Sequence, residues 1–513
     1  MNIREPKNKG MVYLVGAGPG RADLITVRGA DLLKTADCII YDKLANPALL
    51  SYARPDADII HVPKRIGTGS CTQDEINRLL VEKANEGKTV VRLKGGDPCI
   101  FGRGSEEARV LVKAGIDFEI VPGVTAAIAA AEYSGVMLTD REYSSQVAFI
   151  TGHEADGKKE SSIDWNVLAK FPGSIVFYMG MGGLQFITGQ LIKNGMNKET
   201  PTAVIANATF PNQRITKSTV EGIDDKCKQE NIGPPAIVVI GDAAVGDTSL
   251  NWFMKKPLFG KTIVATRDHR GNAEFAAKII NRAGNPIEFP TIKIEPLTNT
   301  TEFLQALSKI TEYDWIVFTS ANGVRIFFDY IRDLSKDARV FASAKIAAIG
   351  ARTAAKLAEF AIMADFVPDV FTGKELGNQL IGFTNLKGKK VLLLRSQLAS
   401  GELIDLLQQA GADVDNVSIY TAVTAKTDPA PLAKQITDGA IDWLTFASPS
   451  SVTAFFEQVK PDLVNSGNVR VASIGPITSE QLKKVGVKID LQAAEHTIDG
   501  LLDAIEQNRI SKT

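Results

Sequence analysis

The sequence predicts an α/β protein of four lobes, two in each half of the 513-residue chain. In the first half, short apolar segments end in glycine-rich or charged loops and lead into helical patterns, which is typical of strand–loop–helix units. The polar segment 154–162 separates two groups of these segments, and we expect a cleft between the two lobes they form. The second half repeats itself, since residues 388–395 match residues 260–267. Two copies of one unit of this size indicate two similar lobes rather than a solenoid.

Composition and charge narrow the class of protein. With 44% hydrophobic and 23% charged residues and a net charge of −1, the chain is typical of globular proteins and shows no electrostatic preference for nucleic acid. The polar segment 1–10 and the lack of a long apolar run argue against a signal peptide and a membrane-spanning helix. The four cysteines are Cys38, Cys71, Cys99 and Cys227, and no two of them form a CxxC motif. We therefore expect a cytoplasmic enzyme without disulfides, metal, nucleic-acid partner or membrane partner.

The most informative segment of the first half is 90–104. An apolar strand pattern leads into Gly95 and Gly96, whose backbone can adopt conformations closed to other residues, and Asp97 follows before a proline. We expect Ser105 to cap the helix that comes next. Ligands bind at the carboxyl ends of strands in open α/β sheets, so this charged, glycine-rich loop predicts a ligand site. The alternative is an ordinary turn, which needs fewer glycines and charges.

Eight further segments of the first half have the apolar, β-prone composition of strands. They are 11–15, 38–42, 61–65, 118–121, 146–152, 174–178, 202–206 and 236–240. The loop 16–20 looks like a dinucleotide-binding fingerprint, but the third glycine would fall at Arg21, and Pro19 removes a backbone N–H that a pyrophosphate would need. The loop therefore favours close approach of the backbone to a small ligand without phosphates.

An alanine-rich helix is predicted over 126–133, directly after Thr125 and before Gly135. Small side chains at its start would let a ligand approach the helix closely. Tight packing of the helix on the sheet is the alternative explanation of the alanines.

Seven motifs, in order along the first half, carry a resemblance to a known family. They are 15–20, 41–44, 92–104, 121–126, 151–153, 178–180 and 207–214. On these motifs, residues 10–253 resemble uroporphyrinogen-III C-methyltransferase, a tetrapyrrole methylase. The resemblance implies a two-lobe methylase fold, with lobes at 10–152 and 163–253, and a homodimer through this half. It also implies that S-adenosyl-L-methionine (SAM) donates two methyl groups to convert uroporphyrinogen III to precorrin-2, with S-adenosyl-L-homocysteine as the second product.

The resemblance also implies site residues. Positions that match SAM contacts of the family are Pro19, Gly95, Gly96, Asp97, Ile100, Thr125, Ala126, Met179 and Ala208. The proton acceptor of the family matches Asp42 and its proton donor matches Lys64, although Lys64 could instead neutralise substrate carboxylates. Ala206 departs from the family, in which many members carry glutamate. Since the substrate is a polycarboxylate, we expect cations to line the cleft. These are Lys64, Arg65, Arg92, Arg103, Arg141 and Arg214.

The repeat in the second half places equivalent strand ends and helix starts in pairs. Matching segments are 260–267 with 388–395, 314–320 with 442–448, and 347–350 with 472–475. The repeats run over 260–387 and 388–510, after a predicted linker at 254–259. Helices are expected to open at Thr319-Ser320, Gly350, Ser448 and Gly475. Helix N-termini with hydroxyl and free N–H groups suit carboxylates.

A second resemblance depends on seven motifs, each of which identifies a family only weakly but which together identify it well. They are 319–324, 349–354, 394–396, 420–421, 448–452, 474–478 and 496–501. On them, residues 258–510 resemble uroporphyrinogen-III synthase. This implies two α/β lobes that need not coincide with the repeats, no cofactor, and cyclisation of hydroxymethylbilane with inversion of the last pyrrole ring. Asp268 departs from the proline that relatives often carry.

The expected substrate-binding residues of this half are Thr319, Ser320 and Ser448. Tyr420 matches the tyrosine of the family that could aid departure of the hydroxyl group. A strand tyrosine packed at the hinge between lobes is the alternative for Tyr420.

The two halves together predict a bifunctional enzyme that makes uroporphyrinogen III and methylates it, toward sirohaem or cobalamin. One alternative is a SAM-dependent methylase of another precorrin. A second is that the C-terminal half is a two-lobe sensor module for a small acid. The sequence leaves open whether the intermediate passes directly between the halves.

Overall fold

The computed structural model describes residues 9–62, 71–142, 144–153, 161–341 and 344–510. The chain divides into two compact units, the first reaching Lys261 and including Ile279–Asn285, the second comprising Thr262–Lys278 and the residues from Pro286 onward. Each unit contains two five-stranded sheets among the described residues. The predicted α/β class and two-part arrangement are confirmed.

The first sheet is parallel and carries most of the predicted binding loops. Its strands are β1 (Val12–Gly16), β2 (Cys38–Tyr41), β3 (Asp58–His61), β4 (Val90–Lys94) and β5 (Phe118–Val121), in the order β3-β2-β4-β1-β5. Its helices are α1 (Val27–Thr35), α2 (Gln73–Asn85), α3 (Gly104–Ala114) and α4 (Ala126–Ser134). The strand predicted at 61–65 was misplaced, because the segment that pairs with β2 is Asp58–His61. Residues 63–65 lie outside the described residues.

The start of α3 also differs from the prediction. The helix begins at Gly104, after Arg103 in a left-handed conformation (φ 61°), and no side chain caps it. Ser105 is therefore inside the helix rather than its N-cap. The reason is a tight loop before the helix, in which Gly104 N donates a 2.9 Å hydrogen bond to Pro98 O. The helix ends at Ala114 and is followed by Gly115, whose φ of 62° suits glycine.

The second sheet of the first unit is mixed. Its strands are β6 (Val147–Thr151), β7 (Ser174–Tyr178), β8 (Pro201–Ala206), β9 (Arg214–Thr219) and β10 (Ala236–Ile240), in the order β6-β7-β10-β8-β9. Its helices are α5 (Trp165–Ala169), α6 (Leu184–Lys193) and α7 (Ile223–Gln229). Only β6 and β7 run parallel. The edge strand β9 was not predicted from the sequence.

The second unit builds its two sheets from both sequence repeats. The sheet β12-β11-β18-β19-β20 contains β11 (Thr262–Ala265), β12 (Asn285–Glu288), β18 (Trp443–Phe446), β19 (Arg470–Ser473) and β20 (Leu491–Gln492). The sheet β13-β17-β16-β14-β15 contains β13 (Ile292–Pro296), β14 (Trp315–Phe318), β15 (Lys345–Ala348), β16 (Lys390–Ser396) and β17 (Asp413–Thr424). Equivalent strands of the repeats, such as β14 and β18, lie in different sheets. The chain therefore starts in one lobe, crosses to the other and returns.

Helices of the second unit cover both sheets. They are α8 (His269–Asn281), α9 (Thr301–Ser308), α10 (Ala321–Asp333), α11 (Ala351–Ala358), α12 (Gly373–Phe383), α13 (Glu402–Gln409), α14 (Ala430–Thr437), α15 (Pro449–Phe456), α16 (Pro461–Ser466), α17 (Pro476–Lys484) and α18 (Ile498–Ile510). Four of them open where the sequence predicted, after Ser320, Gly350, Ser448 and Gly475. None of the helices described is long and apolar enough to cross a membrane.

Candidate functional site

The loops after β1, β4 and β5 meet at the carboxyl edge of the first sheet. Gly18 and Gly96 exchange two backbone hydrogen bonds, with N–O distances of 3.2 and 2.7 Å. Gly123 lies so close to both loops that an added Cβ would be 2.3 Å from Gly96 O and 2.8 Å from the Cα of Gly16. The backbone there is therefore packed to a degree that only glycine permits.

Asp97 holds this arrangement through backbone donors. One carboxylate oxygen accepts hydrogen bonds from Cys99 N at 2.8 Å and Ile100 N at 3.1 Å, and the other accepts one from Gly123 N at 3.1 Å. The side chain thus ties the loop after β4 to the loop after β5. In this geometry Asp97 shapes the site by fixing its backbone.

The second lobe contributes Tyr178, at the end of β7. Its hydroxyl lies 2.8 Å from Thr125 Oγ1 and accepts a hydrogen bond from Ala127 N at 3.2 Å. Its ring is 5.0 Å from the ring of Phe101, in the loop after β4. Burial raises the pKa of the Tyr178 hydroxyl, so it stays protonated. Tyr178 therefore connects two first-lobe loops to the second lobe.

We expect Tyr178→Phe to lower SAM affinity about tenfold, because the first turn of α4 loses its hydroxyl partner; a buried group left unpaired costs about 1–3 kcal/mol. Isothermal titration of the full chain with SAM measures this. Tyr52→Phe, a change at an exposed tyrosine at the end of a short 3₁₀ helix, is the control. Equal affinities of the two variants would contradict the role assigned to the hydroxyl.

A fourth contact joins the loop after β1 to the β8–β9 loop. Arg21 N donates to Thr209 Oγ1 at 3.0 Å, and Thr209 N donates to Gln213 Oε1 at 2.9 Å. With this contact, the nine predicted cofactor residues all lie on five loops that the structure brings together or, for Ala126, at the first position of α4. Two of the nine present exposed apolar side chains, Ile100 (38% exposed) and Met179 (51% exposed).

Strained backbone is concentrated on the same loops. Nine non-glycine residues have positive φ among those described, and five of them belong here. They are Phe101, Arg103, Met179, Asn207 and Thr209, with φ between 49° and 71°. Such conformations are costly and persist where the surrounding structure enforces them, commonly at functional sites.

A buried cluster of charges lies beside these loops. Arg92, fully buried in β4, donates from Nη2 to Asp42 Oδ1 at 2.6 Å and from Nε to Glu107 Oε1 at 3.3 Å. Lys94 Nζ lies 3.0 Å from the same Glu107 oxygen, and Gln73 donates to it at 3.0 Å. Arg92 therefore has no surface to offer to a substrate carboxylate, contrary to its predicted role. It instead fixes Asp42, whose side chain is 16% exposed.

The other predicted cations of this half are arranged differently. Arg103 is half exposed and forms an ion pair with Glu106 at 2.6 Å. Arg141 and Arg214 are exposed, the latter at the start of β9 opposite Ala206. Lys64 and Arg65 lie outside the described residues, so their predicted roles stay predictions.

The second unit has a cavity of about 420 Å³ between its two lobes. Five cations and three acids line it, contributed by the β11–α8 segment, α10 and α11. The cations are Arg267, Arg270, Arg325, Arg352 and Lys356, and the acids are Asp268, Glu274 and Glu359. None of the eight was among the predicted site residues. The signal available was that Arg267 lies two residues after β11 and Arg352 in the first turn of the helix that follows β15.

Some of the predicted site residues of the second half lie at the cavity and others do not. Ser320 lines it and accepts a 3.0 Å hydrogen bond from Gly323 N as the N-cap of α10, with Thr319 beside it. Ser448 caps α15 in the same way and is not in the cavity wall. Tyr420 is only 8% exposed and packs in the core of the lobe formed by β13–β17. Its position favours the alternative of a packed strand tyrosine over a catalytic role.

Two family models match the chain. Residues 11–224 match Tetrapyrrole (Corrin/Porphyrin) Methylases, and residues 273–503 match Uroporphyrinogen-III synthase HemD. Porphyrin biosynthesis protein HemD of Ruminiclostridium josui is 38% identical over 498 residues, which is 97% of each chain.

Two further relatives match shorter stretches of the chain. Uroporphyrinogen-III C-methyltransferase of Bacillus subtilis is 42% identical over 330 residues, 64% of this chain and 68% of the relative. The S-adenosyl-L-methionine-dependent uroporphyrinogen III methyltransferase of Methanosarcina barkeri is 48% identical over 235 residues, 46% of this chain and 92% of the relative. The chain thus belongs to the tetrapyrrole methylase family through its first unit and to the uroporphyrinogen-III synthase family through its second, as a fused, bifunctional enzyme of tetrapyrrole biosynthesis.

Proposed function

We propose that the first unit methylates uroporphyrinogen III twice to give precorrin-2, and that the second unit makes uroporphyrinogen III from hydroxymethylbilane. The observation that carries the methylase assignment is the convergence of five loops at the edge of the first sheet. The names of the relatives from Bacillus subtilis and Methanosarcina barkeri support the same substrate. The basic cavity supports the synthase activity, because hydroxymethylbilane and uroporphyrinogen III are both polycarboxylates.

The first-unit loops fit SAM in three respects. Close glycine packing at Gly96 and Gly123 exposes backbone rather than side chains to a ligand. The first turn of α4 offers N–H groups, which suit a carboxylate or hydroxyl. Ile100 and Met179 offer apolar surface for an adenine ring. When bound, SAM would supply a sulfonium methyl group that needs little activation.

The chain's own contribution to methyl transfer would be orientation and proton removal. Holding donor and acceptor in line supplies much of the rate of such a reaction. We propose that Asp42 accepts the proton that the methylated pyrrole loses, because it is the partly exposed end of the buried Glu107–Arg92–Asp42 chain of hydrogen bonds. The hydrogen bond from Arg92 fixes one carboxylate oxygen and leaves the other to meet the substrate.

Asp42→Asn tests this role. The amide keeps the shape of the side chain but is a much weaker base, so we expect the single-turnover rate constant of methylation to fall by about 10²–10⁴-fold with SAM affinity unchanged. The measurement is anaerobic single-turnover methylation of uroporphyrinogen III. Asp56→Asn, at an exposed aspartate, is the control. Methylation at the wild-type rate by Asp42→Asn would exclude Asp42 as the base.

Three finer points belong to the proposal. A homodimer through the first unit is consistent with the family resemblance. A cytoplasmic location is consistent with the four described cysteines, which form no disulfide. Sirohaem biosynthesis is the favoured destination, since relatives named Siroheme synthase are 43–46% identical over 244–254 residues. Cobalamin biosynthesis begins from the same product and is the second destination.

A further inference from the structure

The cations of the second-unit cavity differ in what they bind. Three of the five are held by a carboxylate: Arg325 by Asp329 at 3.1 Å, Lys356 by Glu359 at 2.6 Å, and Arg352 by Glu274 at 3.1 Å. Arg267 and Arg270 have no ion pair to a described carboxylate. Arg270 is exposed to solvent, whereas Arg267 is half-buried in the wall. Arg267 is therefore the half-buried cation of the wall that has no carboxylate partner among the described residues.

The surroundings of Arg267 leave its guanidinium poorly satisfied. Its one side-chain hydrogen bond reaches Gly271 O at 3.4 Å, longer than usual for such a donor. Burial lowers the pKa of Arg267 and the positive charge of Arg352 lowers it further, while the carboxylates of Asp268 and Glu274 offset part of this shift. A guanidinium nevertheless stays charged in proteins. A desolvated cation with a second cation near it is a suitable position for a carboxylate.

The ion pair between Glu274 and Arg352 crosses the cavity. Glu274 belongs to α8, which follows β11 in one sheet, and Arg352 belongs to α11, which follows β15 in the other. Their side chains are 51% and 66% exposed, and one nitrogen–oxygen contact joins them. Exposed pairs of this kind contribute little to stability. An incoming carboxylate can therefore displace Glu274 at small cost.

We propose that Arg267 and Arg352 form a carboxylate-binding subsite, in which a carboxylate of the tetrapyrrole substrate takes the place of Glu274. This proposal rests on the synthase function proposed above and assigns substrate-binding residues to that function. Glu274 acts as an internal competitor that offsets the repulsion between the two arginines while the cavity is empty. Arg267 and Arg352 come from opposite lobes, so a bound carboxylate would hold both lobes on the substrate.

The proposal predicts opposite effects for two substitutions. Arg267→Gln removes a charged donor and is expected to raise KM for hydroxymethylbilane by about 10–100-fold, with kcat within about twofold of wild type. Glu274→Gln removes the competitor and is expected to lower KM by about threefold. Arg339→Gln, at an arginine that is 91% exposed and pairs with Asp337, is the matched control and should change neither constant. All are measured on the full chain without SAM.

A second readout does not depend on catalysis. Uroporphyrin III, the stable oxidised form of the product, is titrated by fluorescence into the same full-length variants, which differ only in the second unit. Affinity should fall for Arg267→Gln, rise for Glu274→Gln, and decrease with ionic strength less steeply in Arg267→Gln than in wild type. Unchanged KM and porphyrin affinity in both variants would overturn the subsite. If the three proteins show this order of porphyrin affinities but the wild-type chain makes no type III isomer, the synthase function is overturned and the subsite is not.

Discussion

Gly123→Ala is expected to abolish productive SAM binding while the same chain continues to form uroporphyrinogen III. The new Cβ would lie 2.3 Å from Gly96 O and 2.8 Å from the Cα of Gly16, and neither backbone atom can rotate away as a side chain would. The loops after β1, β4 and β5 must then separate. A misplacement of about 1 Å in a preorganised site costs about 100-fold in reaction rate, so the rate of methylation should fall by at least that factor. Equilibrium titration with SAM measures the loss of binding.

The matched control is Gly189→Ala, in the exposed face of α6. A Cβ there meets nothing within 4 Å, and alanine is favoured over glycine inside a helix by about 0.5–1 kcal/mol. This variant should bind SAM as the wild type does. Synthase activity of Gly123→Ala serves as an internal check on folding of the second unit, which contains the whole lining of the basic cavity. Wild-type SAM affinity in Gly123→Ala would show that cofactor binding does not depend on the close loop packing.

Glu107→Ala is expected to destabilise the first unit by about 3–5 kcal/mol, because it removes one partner of a buried ion pair. Glu107 is fully buried, and its Oε1 accepts from Arg92, Lys94 and Gln73. Removing it leaves buried positive charge on β4 without that carboxylate. Hydrogen exchange of peptides from the first unit reports the change in the free energy of opening.

The neighbouring residue provides the control for this prediction. Glu106 pairs with Arg103 at 2.6 Å, but both side chains are nearly half exposed. Glu106→Ala should therefore cost no more than about 1 kcal/mol. Similar losses in the two variants would mean that the buried cluster does not stabilise β4 and the Asp42 position.

Local patterns were enough to predict most of the first unit. Strands β5, β7 and β10 have the predicted bounds, because each is an apolar run that ends at a distinct loop. Two strands were harder: β3 was shifted along the chain, and β9 was missed because five of its six residues are polar or charged. The N-cap of α3 was wrong for a different reason, a loop closed by a backbone hydrogen bond to Pro98 O.

The roles of individual charges depend on burial, which the sequence does not encode locally. Arg92 looks like a cation at a strand end, and only the fold shows that its side chain points into a fully buried cluster with Glu107. The basic cavity could not be predicted from the sequence either, because it depends on how the chain folds. Arg267 and Arg352 lie 85 residues apart in sequence, and they line one cavity because the chain crosses between the lobes of the second unit.

We expect one chain to carry out two successive reactions of tetrapyrrole biosynthesis. Anaerobic incubation of the full chain with hydroxymethylbilane, with and without SAM, tests it most directly, with products followed by mass and absorbance. We expect the type III isomer without SAM and a doubly methylated product with SAM. Type I product under both conditions would contradict the synthase assignment, and type III product that stays unmethylated in the presence of SAM would contradict the methylase assignment.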